Sequence, residues 1–158
     1  MFLAALILII SLGLFCFYLH AACRRILRRR FEREYSLSII NANRLEFPAI
    51  RAGIEDFDPL VDYSRTRMML RCDYLALTYL LKNAANVNQR YTREERLLIF
   101  YFRAVFVTWA VRHLLRLREQ PAILKLTAVL EYFANVLGQR VDQLRFGNLS
   151  ASDYLLSL

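Results

Sequence analysis

The sequence predicts an all-α protein, with an N-terminal single transmembrane helix followed by a small three-helix bundle. Three observations predict it. Met1 to Ala22 is almost wholly apolar and runs straight into a cluster of arginines. Glycine and proline number only four and three in 158 residues, so few turns are available to punctuate strands. Beyond residue 63, apolar residues recur at helical spacing in three successive stretches. The expected division is a membrane anchor with a basic extension over 1–38 and an irregular linker over 39–63. A helical bundle over 64–147 and an apolar C-terminal tail over 148–158 complete it.

Within Met1 to Ala22 only Ser11, Gly13 and His20 fall outside the apolar class. A helix of this length covers roughly 33 Å, enough for a hydrocarbon core of about 30 Å. Arg24, Arg25, Arg28, Arg29, Arg30 and Arg33 come next, and no basic residue precedes them. The positive-inside rule then places the N-terminus outside and the C-terminal domain in the cytoplasm, as a single-pass protein of the inner (cytoplasmic) membrane. A cleaved signal peptide needs a positive n-region, which this segment lacks. Arg24, Arg25, Arg28, Arg29 and Arg30 are expected on anionic lipid headgroups, each charge contributing about 1 kcal/mol near the surface. Helical periodicity continues through Phe31 to about Ser38, which predicts one long helix projecting from the bilayer.

Residues 39 to 64 break the pattern with Asn41, Asn43, Pro48, Gly53 and Pro59. Ile50, Ile54, Phe57 and Leu60 could still pack on the helical domain. Glu55, Asp56 and Asp58 make a short acidic patch, but a calcium loop needs ligands at alternate positions, a turn glycine and a distal Glu. A solvated acidic loop is the expectation.

The first bundle helix is expected from Ser64 to about Val87, with an apolar stripe of Leu70, Tyr74, Leu77, Leu81 and Ala84. The second opens at Thr92 with Glu95 three residues on, the spacing of a capping box, and ends near Glu119 before Pro121. Leu97 to Val111 is apolar except for Arg103 and Thr108, with Phe100, Tyr101, Phe102, Phe106 and Trp109 pointing nearly all round. Such a helix suits the centre of a core, a membrane or a partner's surface. Arg103 would cost about 2.5–3.5 kcal/mol at the centre of a membrane span. The third starts at Pro121, well suited to a first helical position. Its stripe is Ile123, Leu126, Leu130, Phe133, Leu137, Val141 and Leu144, with a kink expected at Gly138 and an end at Gly147. Ser150 and Asp153 form a further capping pair before Tyr154, Leu155, Leu156 and Leu158.

Composition narrows the chemistry. Hydrophobic residues make up 57% and the net charge is +8, from 22 basic and 14 acidic residues. Only Lys82 and Lys125 are lysines, so the chain is arginine-rich. Cysteines at 16, 23 and 72 are odd in number and irregular in spacing, which argues against a disulfide framework. Cys72 is expected to be a small buried hydrophobe. His20 and His113 are the two histidines. His20 lies at the membrane edge, where an imidazole can ligate haem iron or the magnesium of a chlorophyll pigment but is more often interfacial. His113 is expected on a solvated face. CxxC, HExxH, GxSxG and phosphate-loop patterns do not occur, so no enzyme activity, metal or cofactor is expected.

Arg65, Arg67, Arg71, Arg90, Arg93 and Arg96, with Tyr63 and Tyr91, could grip a nucleic acid. Acidic residues are interleaved, and half of the net charge belongs to residues 1–38, so nucleic acid is not the expected partner. The expected role is a non-catalytic accessory or assembly subunit of a larger membrane complex, in contact with its other subunits. Phe102, Phe106, Trp109, Tyr154 and Leu155 are the expected partner contacts. The alternative is a membrane-tethered module that recruits a soluble acidic partner or nucleic acid.

Overall fold

The computed structural model describes the backbone at residues 2–28, 31, 34–56, 62–83 and 91–156, and side chains there except at 2, 56 and 144–156. The described residues are all-helical, in six helices. These are α1 (Phe2–Leu27), α2 (Ser36–Asn43), α3 (Phe47–Asp56), α4 (Tyr63–Asn83), α5 (Arg93–Leu114) and α6 (Gln120–Leu156). The sequence pattern predicts an anchor and three bundle helices; α2 and α3 are additional, and they fill much of the expected irregular linker.

The expected stripes form the core. Leu70, Leu77 and Leu81 of α4, Leu98 and Trp109 of α5, and Ile123, Leu126, Leu130, Phe133 and Leu137 of α6 are essentially sealed from solvent. Each such side chain contributes about 1.5–3 kcal/mol of burial. Val141, expected in the α6 stripe, is exposed. The capping box at the start of α5 is present: the Thr92 amide donates to Glu95 Oε2 at 3.1 Å and the Glu95 amide to Thr92 Oγ1 at 3.3 Å.

The central helix is α6 rather than α5. It packs against each of the other five helices. Small residues on its buried surface, Ala122, Thr127 and Ala134, admit neighbours on sides that the leucine stripe does not face. By contrast α5 leaves Phe100, Arg103, Val107 and Val111 exposed. The helix α6 is also longer than expected, running through Gly147 and the Ser150–Asp153 pair to Leu156. One glycine costs a helix only about 1 kcal/mol relative to alanine, and no proline comes after it to stop the helix. The expected separate tail is therefore its continuation, and the side chains of Tyr154 and Leu155 lie outside those described.

Two other expectations are corrected. The anchor helix ends at Leu27 rather than near Ser38, and the chain turns to lay α2 along α6. Asn135 of α6 fixes that turn: its Oδ1 accepts from the backbone amides of Tyr35 and Ser36, both at 3.0 Å. Gly138 marks the closest approach. A Cβ there would stand 2.6 Å from the Tyr35 carbonyl oxygen, so the glycine permits packing rather than a kink. The helix α3 starts in the same way, with Asp73 of α4 accepting from the amides of Glu46 and Phe47 at 2.9 and 2.8 Å.

Candidate functional site

The helix α1 has two parts. From Leu3 to Tyr18 every residue is exposed, and the large ones are Leu, Ile, Phe and Tyr. From Leu19 onward the helix packs on the body. Cys23 is fully buried, and Leu19, Ile26 and Leu27 lie against the core. His20 Nδ1 is 2.9 Å from the Tyr101 hydroxyl of α5, which ties the helix to the bundle. The stretch Leu3–Leu27 is long and apolar enough to cross a membrane. Arg93–Leu114, which is α5, passes the same test of length and composition.

The direction of packing can be traced residue by residue. Cys16 and His20 line one cleft with Tyr101, Thr108 and Arg112 of α5 and Ala122 of α6. Leu27 lies beside Ala128 and Glu131, and the Phe31 ring meets Tyr132 at 5.5 Å. So α1 runs antiparallel to α5 and parallel to α6. Its exposed N-terminal part leaves the body at the pole where α5 turns into α6.

That pole carries an exposed apolar corner. Leu114, Leu115 and Leu117 are 81%, 61% and 53% exposed, and Val107 and Val111 continue the patch along α5. The corner is held by backbone bonds from Leu117 to Arg112 and from Arg116 to His113, with Arg116 in the left-handed region at φ 53°. Arg112 also donates to the Arg118 carbonyl at 3.0 Å. Glu119 is turned inward, accepting from Trp109 Nε1 at 2.6 Å and pairing with His113 Nδ1 at 2.7 Å. His113 is therefore a bonded residue, stacked on Tyr63 with ring centroids 3.7 Å apart, rather than a purely solvated one.

A second surface feature lies between α4 and α5. Arg67, Arg71 and Arg103 rim a groove floored by Tyr74, Leu75, Phe102, Phe106 and Val107. The Arg67 guanidinium lies over the Tyr63 and Phe106 rings at 5.6 and 5.5 Å.

Several sequence expectations move. Trp109 and Phe102 are core residues and Phe106 is half-buried; Phe102 and Phe106 reach the floor of the α4–α5 groove, while Trp109 is sealed inside. The Phe102 ring stacks on Tyr74 at 4.2 Å, and the Trp109 ring meets Tyr63 edge-on at 5.0 Å. An all-round apolar pattern does not say which face the core takes. Tyr63 is engaged in these stacks and the Tyr91 hydroxyl donates to the Thr78 carbonyl, so neither ring is a free platform for a base. Arg24, Arg25 and Arg28 are exposed, while Arg29 and Arg30 lie outside the described residues. Cys72 is exposed and Cys23 is the buried cysteine. Glu55, near the end of α3, accepts from Arg51 Nε at 3.0 Å, and Arg51 also bonds Glu131. Among the described residues no three His, Cys, Asp or Glu side chains group so as to hold a metal.

The chain matches no protein family, no curated protein and no solved structure.

Proposed function

We propose that the chain is a non-catalytic accessory subunit of a larger membrane protein complex. One span, α1, holds it, and the helical body lies on the cytoplasmic side. The observation that carries this reading is the division of α1. A helix exposed from Leu3 to Tyr18 and firmly packed from Leu19 onward is a rigid stalk, and its apolar surface needs lipid or another span. Orientation rests on Arg24, Arg25 and Arg28 to Arg30, which fall within reach of the positive-inside rule. Exposed Met68, Leu75 and Phe100 on α4 and α5 supply contact area for a neighbouring subunit. Extraction of native membranes in a mild detergent, with a native gel and mass spectrometry of the extract, tests it. Co-migration with a stoichiometric large complex is the expected result. Migration as a free small protein would overturn it.

A second reading is favoured by the groove between α4 and α5. Three arginines over an apolar floor suit an acidic protein segment, so the chain would be a tethered module that recruits one. Binding by that route weakens strongly with salt. Salt-insensitive association would argue for the subunit reading instead.

A further inference from the structure

We infer that the α5–α6 corner is a second membrane contact, dipping Leu114, Leu115 and Leu117 into the leaflet that α1 leaves, with Arg112, Arg116 and Arg118 on anionic headgroups. The inference rests on the reading of α1 as a span. Cys16 and His20 of α1 share a cleft with Tyr101, Thr108 and Arg112 of α5 and Ala122 of α6. Antiparallel packing carries α5 on toward the N-terminal end of α1. Counted from Thr108 or Arg112 beside Cys16, Leu114 lies about 9 or 3 Å further on at 1.5 Å per residue, at the level of the stretch from Ile10 to Leu14. Leu12 belongs to the exposed apolar part of α1. A bilayer that accepts Leu12 therefore reaches the corner.

The corner's own chemistry fits that position. Its outermost side chains are leucines, more exposed than most apolar groups of the bundle. Arginines alternate with them, and their long stems let the charge rise to phosphates while the apolar part stays down. One acid, Glu119, stands against Arg112, Arg116 and Arg118, so the tip keeps a net positive charge, and the carboxylate itself is turned inward to Trp109 and His113. Lys125, one turn into α6, adds to that charge. The occupant is thus an anionic lipid surface. With the headgroup layer near the corner, Phe2 to Cys16 supplies about 22 Å of helix to the hydrocarbon core, and the bilayer thins around α1 to match it.

The test uses the full chain in phosphatidylcholine–phosphatidylglycerol vesicles. Exposed Cys16 and Cys72 are replaced by Ser, and a bimane is placed in turn at Leu114→Cys, Leu8→Cys and Tyr79→Cys. Tyr79, near the far end of α4, is exposed in the bundle and serves as the aqueous reference. Quenching by doxyl lipids is compared with quenching by iodide. The inference expects the lipid-to-iodide ratio at 114 to be several-fold above that at 79. Lipid quenching at 8 but iodide quenching at 114 would overturn the corner contact and leave the span intact. Quenching at 114 by neither agent would show a protein covering the corner, and would overturn it too. Absence of lipid quenching at 8 would remove the span reading, and the corner contact with it.

Discussion

Replacing Glu95 by alanine should destabilise the fold by about 3 kcal/mol, through two separable losses. Glu95 is only 2% exposed, closes the capping box of α5 and pairs with Arg140 of α6. Losing its bond to the Thr92 amide removes the reciprocal half of the box, about 0.5–1 kcal/mol. The larger loss is the stranding of Arg140, whose side chain is 17% exposed and otherwise reaches the Leu81 carbonyl. Breaking one side of a buried pair costs about 3–5 kcal/mol, and partial solvent access to Arg140 reduces this to about 2–3. For a chain of this size each kcal/mol moves the melting point about 2–4 °C, so a drop of roughly 6–12 °C is expected. Circular dichroism melts of the purified chain in detergent read it. Glu95→Gln, which keeps an acceptor for Thr92, should lose less. Adding Arg140→Met to Glu95→Gln should restore most of the loss, because neither partner is then an unpaired charge. A single-variant drop below about 2 °C, or strictly additive losses in the double variant, would refute this account of the pair.

The same packing sets the response to other perturbations. Gly138→Ala should destabilise by about 1–3 kcal/mol despite the gain in helix propensity, because the new methyl meets the Tyr35 backbone; a neutral or raised melting point would contradict it. Asn135→Ala orphans the Tyr35 and Ser36 amides and should cost about 2 kcal/mol, with faster hydrogen exchange confined to α2. Burial raises the Asp73 carboxyl above its usual value, while the Phe47 and Glu46 amides pull it back. A carboxyl with a raised native pKa binds its proton more readily when folded. Its contribution therefore favours the fold at low pH and is lost as pH rises through the native value. The stability of the natural chain relative to Asp73→Asn should fall as pH rises above the ordinary carboxylate value; a flat or rising difference in paired melts would refute the sign.

The parts of the fold legible in the sequence are those specified locally. The α4 and α6 stripes, and the Thr92–Glu95 box, are short-range patterns, and Leu70, Leu77, Leu126 and Phe133 occupy the core that their spacing implies. The helices α2 and α3 are hidden from such patterns because their N-terminal amides are bonded by Asn135 and Asp73, residues distant in sequence. No local cap announces them, and Pro48 and Gly53 have the character of breakers. Trp109 and Phe102 are not placed by pattern either, because α5 is apolar on every side and periodicity cannot say which rings face inward. The corner is legible only as composition. Leu114, Leu115 and Leu117 alternate with arginines, a pattern that gains meaning once α1 is seen to leave the body beside it.

The most direct test of membrane anchoring is extraction of membranes carrying the full chain with alkaline carbonate. The account predicts that the chain stays in the pellet and that Leu8→Arg with Leu12→Arg releases it. Recovery of the natural chain in the supernatant would contradict the central claim that α1 crosses the bilayer.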